Sequence, residues 1–116
     1  MLKGLFNPSS IAVVGASKDP SKVGHAVLNN LIRFGFKGGI FPVNPTATDV
    51  LGLKAYPSIS NIDKPIDLAV IAIPAKFVPQ ALIECSERGI GTAVIISAGF
   101  KEAGPEGVRL EAEIKK

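Results

Sequence analysis

The stretch IAVVGASKDPSKVG, Ile11–Gly24, decides the fold. Its opening run, Ile11–Ala16, is small or β-branched and lacks polar alternation, the pattern of a strand buried on both faces in a parallel sheet. Gly15 then lets the backbone turn sharply. From Lys22 to Phe34 a helical period takes over, with Val23, Ala26, Val27, Leu31 and Phe34 on one stripe and Gly35 as the stop. A buried strand that turns through glycine into a helix is the first half of a βαβ unit.

Working outward, two more runs read as buried strands, Asp67–Ile73 (DLAVIAI) and Thr92–Ser97 (TAVIIS). Gly39–Val43 (GIFPV) is weaker, because Pro42 removes a ladder donor, and reads as a less central strand or one nearing its end. Leu53–Tyr56 (LKAY) reads as a short edge strand. Lys76–Arg88 is helical, with Phe77, Val78, Ala81, Leu82 and Cys85 on one stripe, Gly89 as the stop and Pro79 in the first turn. Gly104–Lys116 begins a third helix, with Pro105 and Glu106 suited to its first turn. This alternation predicts an α/β protein built on a doubly wound, mostly parallel sheet flanked by helices. Such sheets bind ligands beyond the carboxyl ends of their strands. Four segments fall there: Gly15–Gly24, Asn44–Thr48, Pro74–Phe77 and Ser97–Lys101.

With 116 residues the chain is expected to form one domain, 1–116. It stops on a helix with no strand after it, so either that helix caps the sheet or, the favoured expectation, the chain is a fragment or split part of a longer protein. Aromatic residues are 6%, with no Trp and one Tyr, too few for a base-stacking surface. Residues 1–58 carry a net +4 and residues 59–116 a net −1. That excess is too diffuse for a nucleic-acid stripe but favours a compact anion such as phosphate. A single cysteine, Cys85, excludes an internal disulfide and a cysteine metal cluster, and its helical stripe makes it a buried apolar residue. A single histidine, His25, excludes a His-pair zinc site and reads as a helix residue at or near the surface. No metal is expected. No apolar run approaches the ~18 residues that cross a bilayer, and the N-terminus has no secretory pattern, so a cytoplasmic protein with no membrane or nucleic-acid partner is expected. Asp63 and Asp67 read as turn caps, and Glu102, Glu106, Glu111 and Glu113 as a solvated helix face.

The Gly15–Gly24 turn has the parts of an anion site: the Ser17 hydroxyl, the N–H groups at a helix start, and Lys18 and Lys22 on its flanks. An ordinary strand-to-helix connection closed by Gly, Pro and Ser is the other reading. The dinucleotide pattern G-x-G-x-x-G is absent, as is the P-loop pattern G-x-x-x-x-G-K-S/T. Where NAD enzymes place an acid after the second strand stands Asn44, followed by Pro45.

Five segments, in order, carry a resemblance: FNPSSIAVVGAS, the KVG of the first helix, FPVNP, DLAVIAIPA and IISAGFKEAG. The chain resembles the N-terminal CoA-binding domain of the ADP-forming acyl-CoA synthetases (acetate–CoA ligases), relatives of the succinyl-CoA synthetase alpha subunit. The resemblance implies a Rossmann-like domain that holds coenzyme A across the strand ends. Residue by residue it implies Gly15, Ala16, Ser17, Lys22 and Gly24 around the CoA phosphates, and Asn44 and Pro45 at a second turn. It also implies Pro74 and Ala75 at a third turn, with Phe77 as a wall for adenine, and Ile96, Ser97, Ala98 and Gly99 along the pantetheine path. The succinyl-CoA relative has a lysine just after the second turn, where this chain has Thr46-Ala47-Thr48. Contact with the 3′-phosphate is therefore expected to rest on Lys18 or Lys22. The family turns acyl-CoA, ADP and phosphate into acid, CoA and ATP through a phosphohistidine in a later domain, and His25 does not match that histidine. The chain is expected to bind CoA or acyl-CoA without catalysis, with the phosphohistidine-bearing and ATP-handling domains supplied elsewhere. A stand-alone CoA-responsive regulatory module is the alternative, and an NAD-linked oxidoreductase fragment a third.

Overall fold

The structure, a computed structural model, describes residues 9–96. The elements run β1 (Ser10–Val14), α1 (Val23–Arg33), β2 (Gly39–Val43), β3 (Asp49–Val50), β4 (Leu53–Lys54), a 3-10 turn (Ile59–Asn61), β5 (Leu68–Ile71), a second 3-10 turn (Ala75–Phe77), α2 (Val78–Glu87) and β6 (Thr92–Ile95). The helix expected at Gly104–Lys116 lies outside the described residues, as do Ser97, Ala98 and Gly99.

Four strands form one sheet in the order β2-β1-β5-β6. Every pair in it is parallel, Ile11 standing beside Ile40 on one side and Leu68 on the other. All five residues of β1 and all four of β5 are buried, as uninterrupted apolar runs require in a sheet covered on both faces. Alternation within β1 divides the core. Ile11 and Val13 join Leu28 of α1 on one face, and Ala12 and Val14 join Ala81 and Cys85 of α2 on the other. From the middle of the sheet the chain winds outward twice, β1–α1–β2 one way and β5–α2–β6 the other. With crossovers of one hand, the two helices must then lie on opposite faces. The doubly wound α/β sheet read from the sequence is the fold found.

Several local expectations are corrected. β1 and β5 end before their apolar runs do, because Gly15 and Ala16, and Ala72 and Ile73, belong to the turns that follow. The apolar stripe of α1 is rotated: Gly24 and Leu28 are its buried positions, while Ala26 is exposed and Phe34, the C-cap, is 86% exposed. Leu53–Tyr56 is not an edge strand of the main sheet. Leu53–Lys54 pairs antiparallel with Asp49–Val50 in a separate hairpin, and only Tyr56 reaches the sheet, bridging Val43 at the outer edge of β2. Asp67 caps no turn of its own. Its Oδ2 accepts from the Ser9 amide at 2.6 Å and pins the entry to β1. Among the described residues no helix is long and apolar enough to cross a membrane.

Candidate functional site

The sheet reverses its winding between β1 and β5, so the turns after these strands part in opposite directions and leave a crevice at their carboxyl ends. A cleft of about 300 Å³ opens there. Its walls come from three distant segments: Gly15, Ala16, Ser17, Lys22 and Val23 after β1, Asn44 and Pro45 after β2, and Ala72, Ile73 and Pro74 after β5. Backbone bonds set the spacing of those segments. Gly15 N–H donates to Val43 at 3.2 Å and Ala72 N–H donates to Val14 at 2.8 Å. A second hollow of about 220 Å³ shares Gly15, Pro45 and Ile73 and continues toward Phe77, Gln80 and Glu84. The first volume sits at the lower end of the range for small-molecule sites and the second falls below it, and end to end they suit an elongated ligand.

Gly15 is in the left-handed region, φ +95°, and a Cβ there would lie 2.2 Å from the Ala72 carbonyl oxygen. Glycine is thus required for the turn and for the close passage of β5. The segment that follows is tied down residue by residue. The Ser17 hydroxyl accepts from the Asp19 amide at 3.0 Å, and Asp19 Oδ1 accepts from the amide and hydroxyl of Ser21 at 3.0 and 2.8 Å. These bonds, the Ser21 amide first, together with the positive field of Lys22, hold the Asp19 carboxyl below its ordinary pKa. Lys22 is the N-cap of α1 in extended conformation, and no side chain caps the helix. Among the described residues the amides of Val23 and Gly24 meet no acceptor, so the first turn of α1 presents bare N–H groups beside the Lys22 ammonium.

Asn44 joins two of the walls. Its Nδ2 donates to the Ala16 carbonyl at 2.9 Å, while its Oδ1 accepts from the amides of Thr46 and Ala47, both at 2.9 Å. His25 is half-buried, and its Nδ1 lies 2.8 Å from the Ser17 carbonyl oxygen. A carbonyl only accepts, so Nδ1 carries the proton and donates. Sequence reasoning missed both bonds, since each joins a side chain to main chain in another segment.

The remaining candidates divide. Lys18 is exposed on the turn and does not line the cleft, and Ala75 is exposed in the turn before α2. Phe77 is half-exposed on the wall of the second hollow, with Lys76 Nζ 5.2 Å above its ring. Ile96 is half-buried against the α1 side of the core, its amide donating to Ile71 at 2.8 Å. Cys85 lies in the core under α2, where burial pushes its thiol up to about 11. The arrangement offers donors and one cation for an anion, beside walls of Val, Ile, Ala and Pro for an apolar group.

Comparison with known proteins agrees in direction. A family model described as CoA binding domain matches residues 9–112. The alpha subunit of acetate–CoA ligase [ADP-forming] II of Pyrococcus furiosus is 50% identical over 115 residues, covering 98% of this chain and 25% of that protein. The chain spans about a quarter of the length of that relative and of its isoform I counterpart. Among solved structures, the dinucleotide forming acetyl-coenzyme A synthetase 1 of Ca. Korarchaeum cryptofilum, in complex with phosphate and ADP, superposes with a TM-score of 0.83 at 51% identity, over 91% of this chain and 23% of that one. A conserved hypothetical protein of Pyrococcus furiosus superposes with a TM-score of 0.70 at 34% identity, over 81% of this chain and 79% of its own.

Proposed function

The chain belongs to the CoA binding domain family, and from that premise we propose that it holds coenzyme A or an acyl-CoA across the carboxyl ends of β1, β2 and β5. One observation carries the reading: the cleft at the switch point is lined by Lys22 and by the turn that leads into two helix amides with no acceptor among the described residues. The diphosphate of CoA would lie on Gly15, Ala16, Ser17, Lys22 and Gly24. Lys18, exposed on the rim, would meet the 3′-phosphate. Pro45 and Pro74 would flank the nucleotide, with Phe77 and the second hollow available to an apolar or aromatic portion. The pantetheine arm would leave past Ile96 toward Ser97, Ala98 and Gly99.

Residues 1–116 would act as one CoA-binding domain of a longer ADP-forming acyl-CoA synthetase in the cytoplasm, the compartment of free CoA and ADP. Its phosphohistidine-bearing and ATP-handling parts would be supplied by other domains or subunits. The domain itself does no chemistry in this reading. A phosphoryl carrier must swing between two sites, whereas His25 is held against the Ser17 carbonyl. A second reading, a stand-alone CoA-responsive module, is favoured by the structural neighbour that matches this chain over 79% of its own length.

Calorimetric titration of the chain with CoA, dephospho-CoA, NAD and ATP tests the assignment. CoA should bind most tightly, dephospho-CoA more weakly and NAD least, with affinity falling as salt rises. NAD binding as tight as CoA would overturn the reading. Incubation with acyl-CoA, ADP and phosphate should give no ATP.

A further inference from the structure

We propose that His25 and Asn44 are positioning residues that turn two peptide planes of the β1–α1 turn, so that the amides of Ser17 and Lys18 stand as fixed donors to a phosphate-type anion. The proposal rests on the CoA reading for the identity of that anion, but its geometry is the chain's own. In a trans peptide the carbonyl and the following N–H point in opposite directions, and the described residues contain no cis bond. The Ala16 carbonyl is drawn to Asn44 Nδ2 at 2.9 Å, so the Ser17 N–H faces away from Asn44. The Ser17 carbonyl is drawn to His25 Nδ1 at 2.8 Å, so the Lys18 N–H faces away from His25.

Among the described residues neither the Ser17 nor the Lys18 amide meets an acceptor. Consecutive N–H groups held this way form an anion-binding nest. Both clamps are themselves fixed. Asn44 Oδ1 is engaged by the amides of Thr46 and Ala47 and by the Thr46 hydroxyl at 3.2 Å. His25 sits in the first turn of α1, its own amide bonded to the Lys22 carbonyl at 3.1 Å. Without the clamps, either plane is free to flip and present a carbonyl lone pair where the anion should sit. Preorganised donors bind better because that reorganisation is already complete. Neither residue need touch the ligand.

The test uses the full chain, ¹⁵N-labelled, with pyrophosphate and CoA as separate probes. Both should move the Ser17 and Lys18 amide proton resonances downfield. His25→Phe keeps ring volume and removes the donor. It should weaken CoA about five- to tenfold and abolish the Lys18 amide shift, while the Ser17 shift persists under the Asn44 clamp, with a melting temperature near that of the wild type. His25→Asn, which replaces Nδ1 with an amide donor, should restore affinity to within about twofold of wild type. A folded His25→Phe chain that binds CoA as the wild type does, or a His25→Asn chain no better than His25→Phe, would overturn the assignment. The wild-type shifts need no variant: if neither probe moves the two amides, the assignment falls. If pyrophosphate moves them, Lys18 in a His25-dependent way, and CoA does not bind, the positioning role stands and the CoA reading falls.

Discussion

A Cβ on Gly24 would lie 1.9 Å from the carbonyl oxygen of Gly15. Helix α1 therefore approaches the end of β1 as closely as backbone can approach backbone. That contact brings the bare amides of the helix start to the mouth of the switch-point crevice. The strand, the turn and the helix meet at one corner, where the anion is proposed to sit.

Gly24→Ala should cost more than about 2 kcal/mol of stability, because the obstacle is backbone and cannot swing aside. Gly15→Ala should cost a similar amount, since φ +95° and the Ala72 carbonyl at 2.2 Å both oppose a side chain. Urea midpoints of the two variants would show it. Stability equal to wild type in either would mean that α1 and β5 sit farther from the turn than described.

Asp19 places a carboxylate on the turn proposed to receive phosphates, and its bonds to Ser21 hold its pKa below the ordinary value. Asp19→Asn keeps an acceptor for Ser21 and removes the charge. CoA affinity should rise by about two- to fivefold at low salt and the gain should fade at high salt. Titrations at two ionic strengths check this; a loss of affinity would show that the charge orders the turn.

Arg88 closes α2 onto the segment before β5. Its Nη1 donates to the carbonyls of Ile59 and Ile62, and its Nη2 to that of Lys64 at 3.1 Å. Arg88→Met keeps much of the apolar stem and takes the donor from the Ile62 and Lys64 carbonyls, while the Ile59 carbonyl keeps the Ile62 amide at 3.0 Å. A loss of about 1.5–3 kcal/mol is expected, and Arg88→Lys should recover only part of it, since one ammonium cannot reproduce the planar fork. Thermal melts of the pair measure this.

Cys85 should resist thiol reagents in the folded chain and react once urea unfolds it. Burial raises its pKa from 9.0 to about 11, so between those values the unfolded chain gives up a proton that the folded chain keeps. Stability should accordingly fall as pH rises from 9 toward 11. Cys85→Ala should be less stable at neutral pH and show a shallower decline. Equal slopes would mean the thiol is not buried.

The sheet was legible because its evidence is redundant. Ile11–Val14, Leu68–Ile71 and Ala93–Ile95 are short continuous runs of mostly small or β-branched apolar residues bounded by turn signals, the pattern of strands in a parallel sheet. That Gly15, Lys22, Asn44 and Pro74 would line one crevice was legible because strand ends dictate where a crevice forms. The rotation of α1 was not. A helical period defines a stripe but not which neighbouring row faces the sheet, and the row is chosen by Gly24, where only a hydrogen fits. The hairpin at Asp49–Val50 and Leu53–Lys54 is too short for any period to register. The clamps of His25 on Ser17 and Asn44 on Ala16 depend on a packing geometry that no spacing along the chain encodes.

The crevice takes its walls from residues 15–23, 44–45 and 72–74, each tethered to β1 or its end. No local stretch of chain contains the site, and no partly unfolded form that has released β2 or β5 retains it. A ligand seated there would be bound by the native state alone and would act as a thermodynamic brake on unfolding of the entire sheet. At a hundred times its dissociation constant, that brake amounts to about 2.7 kcal/mol. Resistance to proteolysis and to heat would then track the cell's supply of ligand, so the lifetime of the protein would register that supply.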